Sequence, residues 1–323
     1  MKVENIKKNW NTQSSVISYP YGWQYPNITE QWVFDTIIKH NIDNKYLEIV
    51  CFPWATLIDL IERNKNEADY FIESINRAPH KKRIIRVTIC QHVKMKILVE
   101  YFKKLKIDVI YWSHKKLYED NIGNIKIKTL PLYPVVTIER AEDLKYNEEK
   151  ERKYIFGFVG AYDNQCYISD IREKIFIQKY NHPSFIKKRN QWHYEKIVYK
   201  HQVMGEIITD DERNIYNENS KEYFKVLKNT KYSLCPSGAG PNSIRIWESV
   251  MAGCIPIILS DNMDTSACNS FKFIKWNECE FKEKIKNFEI KTDEQIKVDN
   301  ADYFLKYLIF EFKKSDPKGF LLT

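Results

Sequence analysis

Four apolar runs in the first half of the chain each break off abruptly in polar or turn residues. They are KYLEIVCFPW (45–54), RIIRVTICQH (83–92), IDVIYWSH (107–114) and IKIKTLPLYP (125–134). Short runs rich in Val, Ile, Tyr and Cys are strands buried on both faces. Between them lie stretches of helical spacing, ATLIDLIERN and VKMKILVEYFKKLK. The second sets Met95, Leu98, Val99 and Phe102 on one face. This alternation predicts parallel strands joined by crossover helices. The pattern stops in VVTIERAEDLKYNEEKERK, a charged segment without a strand-like run, and then restarts. The second series reads strand YIFGFVGAY (154–162), helices in SDIREKIFIQKY and KEYFKVLKNT, strand KYSLC, helix SIRIWESVMA and strand CIPIILS.

The expected class is therefore α/β, with two sheet domains in tandem. We place the first at 1–138, a linker at 139–152, the second at 153–292, and a C-terminal segment at 293–323. Within that segment 302–313 reads as a helix with an aromatic face that can pack back on the first domain. A chain of 323 residues, 43% hydrophobic, is long enough for two buried cores. No apolar run approaches the roughly 18 residues of a membrane span. The opening MKVENIKKNWNTQSS has no apolar stretch of the signal-peptide kind. A cytoplasmic protein with at most peripheral membrane contact is the expectation, in a bacterial cell or the host cytosol of a virus.

The seven cysteines, Cys51, Cys90, Cys166, Cys235, Cys254, Cys268 and Cys279, show no CxxC spacing and mostly sit in apolar runs. They read as reduced core residues rather than metal or redox groups. The sequon Asn27-Ile28-Thr29 is idle outside a secretory route. A net charge of +8 favours anionic partners, but the lysines are spread along the whole chain and the charge decides little.

The densest signal is KYSLCPSGAGPNSIRIWESVMAGCIPIILSD, residues 231–261. It has neither the GxxxxGK[ST] of a Walker loop nor the third glycine of GxGxxG. Gly238 and Gly240 allow close ligand approach and positive φ. Asn242 or Ser243 can cap the following helix, whose N-terminus is a ready anion site. Gly253 stands where a helix ends. Arg245 lies in the first turn and can grip an anion bidentately. Glu248, three residues on, suits the vicinal hydroxyls of a ribose. On spacing alone, the same pair equally fits an exposed salt bridge after a turn.

The segment resembles the signature of the exostosin-like glycosyltransferases of family 47. The matching residues are Cys235, Pro236, Gly238, Ser243, Arg245, Glu248, Gly253-Cys254-Ile255-Pro256 and Ser260-Asp261. YFKVLKNTKYSLCP resembles the family's approach to that motif, and YIFGFVGAY followed by Arg172 its glycine-ended strand and arginine helix. YPYGWQYP (19–26) and CFPW are a loose likeness in the first half. The resemblance is to soluble microbial or viral members. It implies a GT-B architecture, two Rossmann-like domains facing a central cleft, with a nucleotide-sugar held mainly by the second and inversion at the anomeric carbon. Carried onto this chain, Glu248 holds the ribose. Arg245, Ser243 and the loop of Ser237, Gly238, Gly240, Pro241 and Asn242 hold the diphosphate. Arg172, on the helix after Gly160, is a second phosphate ligand. UDP is the default nucleotide, and a glycan or glycolipid-linked hydroxyl is the acceptor.

The nearest thing to a metal-binding DxD is Asp210-Asp211-Glu212, read as a solvated acidic turn, so no metal and no cofactor are expected. Arg245 and Arg172 neutralise the leaving group instead. Inversion needs a base for the acceptor hydroxyl. Three residues follow strand ends in the first domain: Asp59, then His92, then His114, with Glu30 as an outsider. Trp54 is the expected sugar platform and His114 an acceptor contact. The basic, aromatic stretch 180–202 reads as a loop over the donor rather than a nucleic-acid platform. Two other classes remain open, an inactive transferase-fold partner subunit and a basic nucleic-acid-binding protein.

Overall fold

All four apolar runs of the first half are strands. The computed structural model describes residues 10–25, 28–80, 85–134, 137–138, 152–290, 306 and 311–312. They fall into two units. One is drawn from Met1–Leu130, Val198–Glu206 and Asp302–Thr323, the other from Pro131–Ile197 and Ile207–Ala301. Among the described residues no helix is long and apolar enough to cross a membrane.

The first unit contains β1 (Asn11–Gln13), β2 (Val16–Ser18), α1 (Thr29–Lys39), β3 (Leu47–Cys51), α2 (Trp54–Glu62) and α3 (Glu67–Asn76). It continues through β4 (Ile85–Cys90), a 3₁₀ turn (Met95–Leu98), α4 (Val99–Lys104), β5 (Val109–Trp112), β6 (Asn121–Ile122) and β7 (Ile125–Thr129). The sheet order is β1-β2-β3-β4-β5-β7-β6. The five strands from β2 to β7 run parallel, and β1 and β6 add antiparallel edges. Both faces are covered, which is why the strands lack polar alternation. Leu47, Ile49, Val87 and Tyr111 pack with Val33, Phe34 and Ile37 of α1. Val50, Cys90, Ile110 and Trp112 pack with Leu57, Phe71 and Phe102 of the helices that follow β3 and β4.

Glu311 and Phe312 belong to this unit. Phe312 is fully buried 4.9 Å from Tyr111, whose hydroxyl donates to Glu311 at 2.9 Å. Asn44 Nδ2 donates to the Phe312 carbonyl at 3.1 Å. The rest of the segment 302–313, apart from Lys306, lies outside the described residues, as do Asn27 of the sequon and linker residues 139–151.

The second unit contains β8 (Tyr154–Ala161), α5 (Ile171–Ile177), β9 (Ser184–Arg189), α6 (Asp210–Lys228), β10 (Thr230–Pro236), α7 (Ile244–Met251), β11 (Ile255–Leu259), β12 (Ile274–Lys275) and α8 (Phe281–Lys286). All five strands are parallel, in the order β12-β11-β10-β8-β9. The first strand of the unit therefore lies between the second and the third. Strand order reverses there, and the ends of β8 and β10 form the switch point at which parallel α/β sheets bind ligands. Both units are Rossmann-like, and the α/β class read from the sequence holds.

The helix α7 stops as its sequence dictates. Gly253 sits at φ 69°, with its N–H on the Val250 carbonyl (3.0 Å) and the Cys254 N–H on the Ser249 carbonyl (2.8 Å). This pair of bonds needs a left-handed residue at Gly253. Gly253→Ala should therefore lower stability by about 1–2 kcal/mol, read as a shifted denaturation midpoint.

Candidate functional site

The end of β8 and the end of β10 bring two arginines together. Arg172, in the first turn of α5, donates from Nε to the Ser237 carbonyl (2.8 Å) and from Nη1 to the Ala161 carbonyl (3.0 Å). Arg245, in the first turn of α7, donates from Nη2 to the Val159 carbonyl. Both are at least nine-tenths buried, and neither forms an ion pair with a described residue. Both guanidiniums lie over the Phe158 ring, Arg245 at 4.6 Å and Arg172 at 5.8 Å from its centroid. Arg172 also lies over Tyr167 at 4.5 Å, and Arg245 over Tyr223 at 5.1 Å. Arg245 Nε has no hydrogen-bond partner among the described residues. Burial, reinforced by the neighbouring Arg245, pulls the Arg172 guanidinium down to about 10. It stays a cation at neutral pH.

The glycines are explained by these side chains. A Cβ on Gly160 would stand 3.3 Å from Arg245 Nη2 and 3.5 Å from Arg172 Nη1, and one on Gly238 would stand 3.2 Å from Arg172 Nη2. Neither Gly238 nor Gly240 has a positive φ, which corrects that part of the sequence reading. The use of Gly238 here is clearance. Ser243 occupies the N-cap position without a side-chain cap bond, and Asn242 Oδ1 accepts from Trp247 Nε1 (3.1 Å). Capping by the Ser243 side chain is thus also corrected. Ser237 is buried, its hydroxyl on Glu278 Oε1 (3.1 Å) and beside the Ser169 hydroxyl (3.1 Å). Gly240 and Pro241 are buried, with the Gly240 carbonyl accepting from the Gly238 N–H at 3.0 Å.

Glu248 is 4% exposed and makes no ion pair with Arg245, so the exposed salt bridge that spacing allowed is absent. Its Oε2 accepts from the Tyr223 hydroxyl at 2.5 Å. Burial pushes its carboxyl up, opposed by that hydroxyl and by Arg245. Tyr223, Tyr167 and Glu278 were not singled out from sequence. Tyr223 stood inside YFKVLKNTKYSLCP, but nothing in its spacing marked its contact with a helix 20 residues on.

Two other segments differ from expectation. Asp210-Asp211-Glu212 forms the first turn of α6, where Thr209 and Glu212 make a reciprocal capping box, rather than a loop. Stretch 180–202 is not a free loop. It supplies β9 and enters the π-helical segment Glu195–Val203, and His193 stacks on Tyr216 at 4.5 Å. Cys51, Cys90, Cys235, Cys254 and Cys268 are buried and all seven cysteines are unbridged.

In the first unit the parallel strand ends gather a second polar cluster. Asp59, on α2, accepts from Gln24 Nε2 on Oδ2 (2.6 Å), and its Oδ1 lies 3.3 Å from His92 Nε2. His92 Nδ1 accepts the Lys94 N–H at 3.1 Å, so neutral His92 carries its proton on Nε2, toward Asp59. Gln91 donates to Gln24 Oε1 (2.9 Å) and exchanges hydrogen bonds with Glu30: Gln91 N to Glu30 Oε1 (2.9 Å), Glu30 N to Gln91 Oε1 (3.0 Å). Glu30 also accepts the Ala55 N–H at 3.2 Å, and burial pushes its carboxyl up to about 8. His114 is buried; burial and the neighbouring His92 pull its imidazole down to about 3. Trp54 is no sugar platform: it has no exposed surface, its Nε1 donates to Thr88 Oγ1 (2.8 Å), and Phe102 packs edge-on at 4.8 Å.

The Exostosin GT47 domain matches residues 97–278, more than half of the chain. Among solved structures, the chain is similar to the UDP-GlcNAc 2-epimerase of Methanocaldococcus jannaschii, whose crystal structure holds UDP-GlcNAc and UDP. The identity is 13% over 86% of this chain and 94% of that one, with a TM-score of 0.38.

The His114 shift has a definite sign. An imidazole at 6.5 when unfolded and about 3 when folded contributes stability fully above pH 6.5, and that contribution is lost as pH falls toward 3. His114→Gln should flatten the acid limb of the melting-temperature profile across that window, as checked by thermal unfolding at stepped pH.

Proposed function

The chain belongs to the Exostosin GT47 family of glycosyltransferases, and from that premise we propose that it moves a sugar from a nucleoside-diphosphate sugar to a hydroxyl of a glycan or glycolipid-linked acceptor, with inversion. The donor is UDP-linked by default. One observation carries this reading: two buried guanidiniums, Arg172 and Arg245, without a carboxylate partner among the described residues, stand at the switch point of a parallel sheet. Buried cations in that state match an anion that arrives with the ligand. The first turn of α7, with no side-chain cap, adds N–H donors for the same anion. Glu248, a buried carboxylate beside that anion site, suits the ribose hydroxyls.

In the reaction, the acceptor oxygen attacks the anomeric carbon as the bond to the diphosphate breaks and its electron pair leaves with phosphate. Arg172 and Arg245 are fixed donors for the charge that develops there, a role a metal ion fills in other transferases. The acceptor's proton passes to Asp59. Gln24 and His92 aim that carboxylate, and both ring nitrogens of neutral His92 are already engaged, which favours Asp59 over His92 as the base.

Two measurements test this. UDP titrated calorimetrically should bind the wild type, and Arg245→Ala and Arg172→Ala should each weaken it by about tenfold or more, as the loss of a charge-assisted contact implies. Asp59→Asn should keep UDP affinity while lowering turnover, followed as UDP release from a UDP-sugar with glycan acceptors, by about 10²–10⁴-fold. UDP affinity untouched in both arginine variants would sink the donor assignment, and near wild-type turnover of Asp59→Asn would sink the base.

A further inference from the structure

Arg245 and Glu248 stand three residues apart on α7, the spacing at which opposite charges on a helix pair. Both are buried, where an ion pair is the ordinary refuge of a charge. They nevertheless do not pair. The residue that touches both is on another helix. Tyr223 of α6 holds Glu248 Oε2 through its hydroxyl at 2.5 Å, and its ring face lies 5.1 Å from the Arg245 guanidinium. Phe158 takes the guanidinium at 4.6 Å. The result is a nine-tenths buried arginine whose Nε has no partner and whose single described bond is to the Val159 carbonyl.

We propose that Tyr223 is a positioning residue that withholds Glu248 from Arg245 and so keeps the guanidinium open to a diphosphate. The inference rests on the donor reading above and adds a requirement to it. An arginine and a carboxylate one turn apart would otherwise satisfy each other, and an entering anion would have to break that pair. The hydroxyl supplies Glu248 with a neutral partner, and the rings supply Arg245 with attraction that leaves its N–H edges uncommitted. Both halves of the donor site depend on this one side chain, since Glu248 also remains unpaired by cation.

Removing the hydroxyl alone tests the idea, because Tyr223→Phe retains the ring over Arg245. Inorganic pyrophosphate is the probe, since it reads the anion site without a ribose. Titrated calorimetrically, Tyr223→Phe should bind pyrophosphate about tenfold more weakly than wild type, the scale of one charge-assisted contact. Glu248→Gln should bind it at least as well as wild type. The double variant should return to within about threefold of Glu248→Gln, the coupling expected of residues in one network. Wild-type affinity in Tyr223→Phe overturns the proposal. So does a double variant as weak as Tyr223→Phe, which would mean that the hydroxyl touches the anion itself. The donor reading fails separately: pyrophosphate coupling as described, with no UDP binding, leaves Tyr223 as the guardian of an anion site that is not a nucleotide site.

Discussion

Two like charges buried side by side, neither paired with a carboxylate among the described residues, constrain everything near them in the second unit. Taking a guanidinium out of water is costly, and a buried carboxylate is its usual remedy. Here the remedy is distributed. Main-chain carbonyls of Val159, Ala161 and Ser237 accept from Arg245 and Arg172, and Phe158, Tyr167 and Tyr223 offer ring faces. Gly160 and Gly238 clear the volume that the two side chains need. The carbonyls exist in this arrangement because β8 and β10 are neighbours in a parallel sheet with a reversed strand order. The fold and the cation pair are thus one fact: the switch point aligns the acceptors, and the acceptors hold the cations.

The first unit answers with a different economy. Its strand ends carry carboxylates and amides that are tied in series from Glu30 through Gln91 and Gln24 to Asp59. Glu30 joins the start of α1, the end of β4 and the start of α2 through backbone N–H groups, so its burial is structural. Asp59 stands at the end of that chain with His92 beside it, which fixes the carboxylate in one orientation. In the proposed reaction this rigidity matters more than any one bond, since a base must meet its proton in a narrow geometry.

The sheet architecture was legible in the sequence because doubly buried strands leave unbroken apolar runs, as in LEIVC and IRVTIC. The edge strands β1, β6 and β9 were not: β1 and β6 are too short for an apolar run, and β9 ends in the charged Lys187, Lys188 and Arg189. Arg245 and Glu248 stood out by their spacing on one helix, and Arg172 by the resemblance to family 47. The state of Arg245 and Glu248 was not legible: spacing allowed an exposed pair, and only the third dimension shows Tyr223 against both. The positive φ expected at Gly238 and Gly240 is absent, since backbone freedom and side-chain clearance leave the same letter in a sequence. Trp54 misled because an aromatic after a strand end suits a sugar as well as a core, and here Thr88 and Phe102 claim it. Asp59 was visible as a polar residue following a strand end, but its partners Gln24 and His92 come from distant positions that no local pattern links.

The most direct measurement is the crystal structure of the protein with UDP bound. The account predicts diphosphate oxygens within hydrogen-bonding distance of both guanidiniums, Arg172 and Arg245, with Glu248 on the ribose hydroxyls and Tyr223 still on Glu248. A UDP bound away from the ends of β8 and β10, or a diphosphate that leaves both arginines on their carbonyls alone, would contradict it.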